Sequence, residues 1–334
     1  MQSTSPANSD RRPVPSKPIA SISLDLDDEW TYLKTRGDPA WLTYPSYLQS
    51  AVPRILDFLD DAATRITFFL VAQDAAFDHN RDVIAEIARR GHEIGNHTFH
   101  HDPWLQTYTQ PEIDEELARA EECIQTATGV LPRGFRGPGF SFSPAVLTVL
   151  ARRGYQYDAT TFPNILNPLA RLYFLSSTDL TEEELDRRKG LYGKWTDGFR
   201  SNKAYEWVCD DVHVVEIPVT TMPLLKVPIH ASYILYLSTW SSGLGLAYFK
   251  FALRMCRLTA TLPSILLHPL DFIGRDDTDS LSFFPAMRLE SDVKLVIMRE
   301  LFGLLARHHR PVTMSEHAAH VGAHGTLRRK TIRI

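Results

Sequence analysis

A parallel α/β fold is predicted by three features of this sequence. Short apolar runs alternate with amphipathic stretches of helical spacing along most of the chain. Several of those runs are nearly continuous, as in Ile-Thr-Phe-Phe-Leu-Val at 66–71, which suits strands buried on both faces. The residues equipped for chemistry fall at the ends of such runs: Asp25 and Asp27, His97, Arg136, Asp158 and His268. In a barrel of this class the active site sits at the C-terminal ends of the strands. At 334 residues the chain suits one large domain, and an α/β barrel of this length is ordinary.

The elements follow in order. Ile19–Leu26 reads as a strand ending in acids. Pro45–Asp61 has helical spacing, with Leu48, Val52, Ile55, Leu56 and Leu59 on one face. Ile66–Val71 is the short apolar strand. Arg81–Arg90 is helical, and Gly91 ends it from the position just beyond. Glu93–Gly95 reads as a short strand leading into histidines. Pro111–Thr128 opens with proline and acids, as a helix start favours, and Gly129 closes it. Phe135–Gly137 is a candidate strand, and Ser143 caps a helix that begins at Pro144. Further strands are expected at Tyr155–Asp158, Val214–Val219 and Ser264–Leu267. A helix over Val293–Arg307 and a last strand at Pro311–Met314 complete the pattern. Two stretches interrupt it, at about 164–206 and 220–262, and both are long enough to cover a barrel mouth.

Composition is that of a soluble globular protein, with 44% hydrophobic and 23% charged residues, so a sizeable core can form. A net charge of −4, from 36 basic and 40 acidic residues, removes any electrostatic case for nucleic acid. Cys123, Cys209 and Cys256 lie far apart without paired spacing, which suits buried, reduced thiols. Residues 1–18 are rich in Ser, Pro, Asn and Arg and lack an apolar stretch. A disordered leader and a cytoplasmic location, in contact with the membrane surface at most, are therefore expected. From Ala231 to Phe249 there is no charged residue, and Lys250, Arg254 and Arg257 follow. Serines and glycines dilute this segment below a membrane span, leaving a buried cap or a membrane-surface element over 229–257. The end of the chain, 317–334, reads as a basic tail, solvated or in contact with anionic lipid.

The chemistry centres on His97 and His101, four residues apart, and on the acidic cluster Asp25-Leu26-Asp27-Asp28. On a helical turn that spacing puts both rings on one face, able to bind one ion. Two imidazoles and a carboxylate make a hydrolytic metal site, and a second carboxylate beside them is a candidate base. Along a strand Asp25 and Asp27 share a face while Asp28 points elsewhere. A solvated loop is the plainer account of Glu29 and of Asp28. His100 should point away from the pair, as a supporting residue. The run Arg133 to Phe140 carries Gly137, Pro138 and Gly139, which permit close backbone approach and an oxyanion donor. His268 ends a buried strand before Pro269; it is either a core histidine satisfied by backbone or a general acid.

Taken in order, these pieces resemble the polysaccharide deacetylases, the NodB homology domain of carbohydrate esterase family four. The family's acidic first motif, His-Ser/Thr-x-x-His, Arg-x-Pro and Leu-x-His appear as Asp25-Leu26-Asp27-Asp28, His97-Thr98-Phe99-His100-His101, Arg136-Gly137-Pro138 and Leu266-Leu267-His268. The similarity covers roughly residues 19–271. It implies a deformed parallel (β/α) barrel with capping insertions, filling residues 19–316 as one domain. It also implies one divalent metal, zinc in the first place, with cobalt, nickel, iron(II) or manganese as alternatives. Residue by residue, Asp25 would be the base and Asp27, His97 and His101 the ligands. Arg136 would orient the base, Gly139 N–H would hold the oxyanion, and His268 would protonate the leaving amine. Leu266, Pro138 and Phe140 would line the substrate pocket. The first motif departs from the usual pattern, since Leu26 intervenes and Glu29 stands where glycine is common. Asp27 and Asp28 thus compete for the ligand position. No fourth motif is evident; Asp158 is a candidate partner for Arg136, and Asp271 for His268. The implied reaction is removal of an N-acyl group, N-acetyl first, from an amino sugar that is free, lipid-linked or nucleotide-linked. The alternatives are deformylation of a polyprenyl-linked amino sugar, hydrolysis of a non-sugar amide, and a non-catalytic sugar-binding barrel.

Overall fold

Strand β1, Ile19–Leu26, is buried at every residue, yet its two faces differ. Ala20, Ile22, Leu24 and Leu26 pack outward with Leu48, Val52, Ile55, Leu56 and Leu59 of helix α2, Leu48–Asp61. The alternate residues Ser21, Ser23 and Asp25 face the other way, into the interior of a strand ring. An apolar coat outside and polar groups inside is the pattern of a barrel that keeps a reactive centre at its axis.

The computed structural model describes residues 17–169, 172, 178, 180–188, 195–209, 212–324 and 327–331. The expected leader lies outside these residues except for Lys17 and Pro18. The remaining strands are β2 (Thr67–Leu70), β3 (Glu93–Asn96), β4 (Gly134–Phe135), β5 (Tyr157–Asp158), β6 (Tyr205–Cys209), β7 (Val212–Glu216), β8 (Ser264–Leu267), β9 (Arg310–Val312) and β10 (Arg328–Thr331). Their order is β10-β6-β7-β5-β4-β3-β2-β1-β8, with β9 beside β1. Every pairing is parallel except β6 with β7. Just past β7, Thr220 N–H donates to Ser264 C=O (3.0 Å), and Ser264 N–H donates to Thr220 Oγ1 (2.8 Å). These two bonds bring the run from β7 to β8 round on itself, which makes the expected deformed barrel.

Phe69, Tyr157, Ala159, Ile217 and Met314 fill the interior. A Cβ at Gly95 would run into the Phe69 ring, and one at Gly134 into the Tyr157 ring, so both glycines make room for an aromatic plug. Below it, the helix Met314–His324 closes the barrel floor: His317 Nδ1 meets Ser21 Oγ at 2.8 Å, and Ser315 N–H donates to Glu93. The basic tail expected over 317–334 is therefore corrected. Its first part is this helix, anchored by buried Met314 and His317 three residues apart. Its second part is β10, where Arg329 pairs with Glu206 (2.9 Å) and Lys330 lies 3.6 Å from the Tyr205 ring centroid. Charge dominates the composition of this segment, but a few apolar anchors decide its packing.

Of the interruptions, 220–262 forms two antiparallel-connected helices, Ala231–Ser238 and Ser242–Leu258, that cover one side of the mouth. Within 164–206 the described part includes a short helix, Glu182–Arg187. Among the described residues no helix is long and apolar enough to cross a membrane. Cys123 and Cys256 are free thiols; the side chain of Cys209 lies outside the described residues.

Candidate active site

Strand register builds the site at one rim. Asp25 pairs in register with Phe69, Phe69 with Gly95, and Leu24 with Leu267, so Asp25 and His268 end adjacent strands at the same level. Asp27 follows β1, His97 follows β3 and Arg136 follows β4. All are C-terminal strand ends.

Asp27, His97 and His101 form a buried trio whose ligand atoms lie within 4.8 Å of one another. Asp27 Oδ1 is 3.1 Å from His101 Nε2 and 3.4 Å from His97 Nε2. Among the described residues, Asp27 Oδ1 and both ring nitrogens of His101 have no hydrogen-bond partner. Buried polar atoms that face one another without bonding are what a cation's donor set looks like. His97 Nδ1 donates to the Arg136 carbonyl at 2.6 Å, which leaves Nε2 with its lone pair toward Asp27. Burial by itself would raise the Asp27 carboxyl, but His101 and His97 outweigh it and hold it well below the usual range. Burial depresses His101, whereas at His97 the Asp25 and Asp27 carboxylates overcome burial and raise the ring's pKa.

The histidines do not sit on a helical turn, which corrects that expectation. Residues 97–101 form a tight loop in which Thr98 (φ 66°) and His101 (φ 52°) are left-handed. Asn96 Oδ1 takes the Thr98 N–H (2.7 Å), and Glu116 takes the N–H groups of Phe99 (2.9 Å) and His100 (2.7 Å). Glu116 also holds His100 Nδ1 at 2.6 Å, turning that ring away from the trio as expected. Sequence reasoning missed Glu116. Its signal was an acid on the apolar face of the helix Gln110–Thr128, between Ile113 and Leu117.

Asp25 lies beside the trio, 4.0 Å from His97 Nε2. Arg136, fully buried, clamps Asp25 Oδ1 at 2.6 Å, and donates to Ser23 Oγ and the Ala159 carbonyl at 2.9 Å each. Asp158 is not Arg136's partner. It pairs instead with Glu216 on the adjacent strand, and with Thr160, whose Oγ1 accepts the Gly137 N–H (2.8 Å). Burial and the neighbouring carboxyl push Asp158 well above its usual range, and burial also raises Glu216. Asp158 thus braces the Arg136-Gly137-Pro138 loop through Thr160. Gly137 has no space for a side chain, because a Cβ would strike the Ser141 carbonyl.

Asp28 turns away from the histidines. It caps helix α1, Glu29–Arg36, through the Glu29 N–H (2.8 Å), and accepts the Tyr47 N–H (3.0 Å). Buried beside Asp74, it is pushed up to about 7 by burial. The solvated loop expected at Asp28 and Glu29 is thereby corrected: the acids cap a helix whose Trp30 is buried and bonded to Asp74 (2.7 Å).

On the far side of the rim, Asp271 accepts the backbone N–H of His268 at 2.8 Å, not its ring. His268 Nδ1 meets Ser232 Oγ at 3.3 Å. Leu266, buried, sits level with Ser23, one layer beneath Asp25. Gly139 (φ 58°) and Phe140 (φ 60°) turn the loop after buried Pro138. The Phe140 ring lies 4.7 Å from that of Phe162, which in turn lies 5.7 Å from His230.

Residues 33–157 match the family model described as polysaccharide deacetylase. That span holds His97, His101 and Arg136; Asp25, Asp27 and His268 lie outside it. Peptidoglycan-N-acetylmuramic acid deacetylase PdaA of Bacillus subtilis is 33% identical over 146 residues, 43% of this chain and 54% of that protein. Peptidoglycan-N-acetylglucosamine deacetylase of Bacillus cereus is 35% identical over 86 residues, 26% of this chain and 30% of that protein. The chain thus spans about half or less of these curated relatives' length. A solved structure from Mycobacterium smegmatis, put forward as a polysaccharide deacetylase, matches 99% of both chains at 20% identity and a TM-score of 0.64. Puue allantoinase matches 94% of this chain and 93% of its own at 15% identity and a TM-score of 0.57. These two likenesses establish a shared fold. The motif order and the barrel agree with the family match, so residues 33–157 are similar in sequence to the polysaccharide deacetylases.

Proposed function

We propose that this protein is a metal-dependent hydrolase that removes an N-acyl group, N-acetyl in the first place, from an amino sugar. The observation that carries this reading is the buried Asp27–His97–His101 trio with Asp25, held by Arg136, alongside. Relatives that match the chain are named as peptidoglycan deacetylases, which supports the substrate class.

Asp27 Oδ1 and the Nε2 atoms of His97 and His101 would hold the cation. The all-nitrogen-and-oxygen donor set suits zinc first, and cobalt, nickel, iron(II) or manganese as alternatives. When bound, a divalent ion there polarises the amide carbonyl and acidifies a water. Asp25 takes the proton from the attacking water; Arg136 occupies its Oδ1 and leaves Oδ2 toward the trio. The Gly139 N–H donates to the oxyanion. His268 gives a proton to the departing nitrogen, so the C–N bond breaks into an amine and a carboxylic acid. Leu266, Pro138 and Phe140 shape the acyl pocket. Asp28, Asp158 and Asp271 support from outside it.

A lipid-linked substrate is the second reading, and the helix Ser242–Leu258 favours it. Leu244, Phe251 and Leu258 are exposed along it, Trp240 is exposed just before it, and its charged residues are Lys250, Arg254 and Arg257, all basic. An apolar stripe flanked by cations suits an anionic lipid surface. Arg329 and Lys330 of the chain's end are engaged within the sheet, so this reading rests on the helix. Free thiols at Cys123 and Cys256 support a cytoplasmic setting.

The test assays the zinc-loaded protein on N-acetylglucosamine oligosaccharides and on a polyprenyl-linked N-acyl amino sugar. Acetate release that a chelator abolishes and zinc restores supports the proposal. Formate release would mark a deformylase; bound metal with no turnover of any amide would mark a sugar-binding barrel. Co-sedimentation with anionic vesicles, lost in a Phe251→Glu/Leu258→Glu variant, supports the lipid reading; equal binding to neutral vesicles ends it.

A further inference from the structure

The inserted helix Ala231–Ser238 begins at the barrel mouth, directly over β8. Its second residue, Ser232, contacts His268: the Oγ–Nδ1 distance is 3.3 Å. Asp271 Oδ1 is buried with no hydrogen-bond partner among the described residues, and the Ser232 hydroxyl is the neighbouring side-chain donor that acts on that carboxyl. Asp271 Oδ2 meanwhile accepts the His268 backbone N–H. One buried acid therefore addresses both the backbone and, through Ser232, the ring of the same histidine.

We infer that Ser232 is the positioning residue for His268: it accepts Nδ1–H and donates its own proton to Asp271, leaving Nε2 to face the site. The inference rests on the amidase reading for its consequence in turnover, but not for its geometry. The charge balance around the relay favours this direction. Burial raises the Asp271 carboxyl, while His268, Ser232 and the nearby Lys294 ammonium draw it back toward the charged form. Lys294 is itself held by the carbonyls of Leu270 (2.7 Å) and Ile273 (2.6 Å), and from there its charge acts on Asp271. The second imidazole nearby, His230, has its ring 6.5 Å from that of His268. Burial and the charge on His268 push it down to about 3, so it stays neutral and does not compete for the proton. A serine between acid and imidazole keeps the tautomer defined. It also holds the ring through an element that belongs to the insertion and not to the barrel.

Nitrogen-15 NMR of histidine-labelled full-length protein tests the geometry, with His268 assigned by a His268→Gln variant. The neutral ring of the wild type is expected as the Nδ1–H tautomer, as is that of Ser232→Thr, and Ser232→Ala is expected to shift to Nε2–H. On a substrate that the wild type turns over, kcat of Ser232→Ala should fall about 10- to 100-fold. KM and bound metal should not change, and Ser232→Thr should recover most of the rate. An unchanged tautomer in Ser232→Ala overturns the inference, whatever the activity. The expected tautomers in a protein without turnover leave Ser232 as the positioning residue and count against the amidase reading alone.

Discussion

Two groups of buried acids stand on different walls of one barrel, and they are compensated in opposite ways. At the rim, Asp25 and Asp27 lie among Arg136, His97 and His101. Across the barrel, Asp158 and Glu216 lie against each other, with Thr160, Thr161 and Trp207 as partners. The first group is matched by positive charge, so Asp27 is held ionised. At the second, burial outweighs every other influence and raises both carboxyls; the Glu216 charge raises Asp158 further, so Asp158 keeps its proton and bonds to Glu216 with it. Burial alone therefore does not mark a reactive acid in this fold. The sign of the neighbouring charge does.

The comparison can be broken most severely at the trio. His97→Ala removes one of two imidazoles, and elemental analysis should find the metal lost and turnover at background. Full metal retention would remove His97 from the ligand set. Asp25→Asn keeps the shape and the trio; kcat should fall about 10²- to 10⁴-fold with metal content unchanged. Activity near wild type would take the base role from Asp25. Arg136→Met leaves Asp25 buried without its cation, which should cost about 3–5 kcal/mol in a urea titration. A loss within experimental error would mean that Asp25 is paired elsewhere.

The smallest effect is expected across the barrel. The Asp158–Glu216 pair binds in the folded state a proton that the unfolded chain releases above about pH 4. Folded pKa values raised in this way make their stability contribution largest at low pH, and lose it as pH rises through the folded values. Asp158→Asn should flatten that decline, read as melting temperature against pH. An unchanged slope would show that the pair does not carry the proton.

Much of the fold was legible because its strands are short apolar runs with chemistry at their ends. Ile19–Leu26 and Ser264–Leu267 form as expected, and Ser143 and Gly129 cap their helices as expected. Less was legible where anchoring is sparse. β6, β10 and the helix Met314–His324 were not foreseen, because one or two buried residues among many charges decide their packing. At the site, motif order brought out His97, His101 and Arg136, and the strand period set Asp25 and Asp27 on one face. The loop conformation of 97–101 was not legible, since left-handed residues held by Asn96 and Glu116 leave no trace in spacing.

By itself the sequence determined the alternation of elements, the composition of the rim and the identity of its candidate ligands. These follow from local pattern, where hydrophobic period and residue chemistry are read along the chain. The tertiary structure decided which acid faces which charge: Asp27 toward the histidines, Asp28 toward Asp74, Asp158 toward Glu216 and Asp271 toward Ser232. Those choices depend on strand register and on inserted segments meeting across long sequence separations. The field at a buried carboxyl is set by whatever the fold brings within a few ångströms of it.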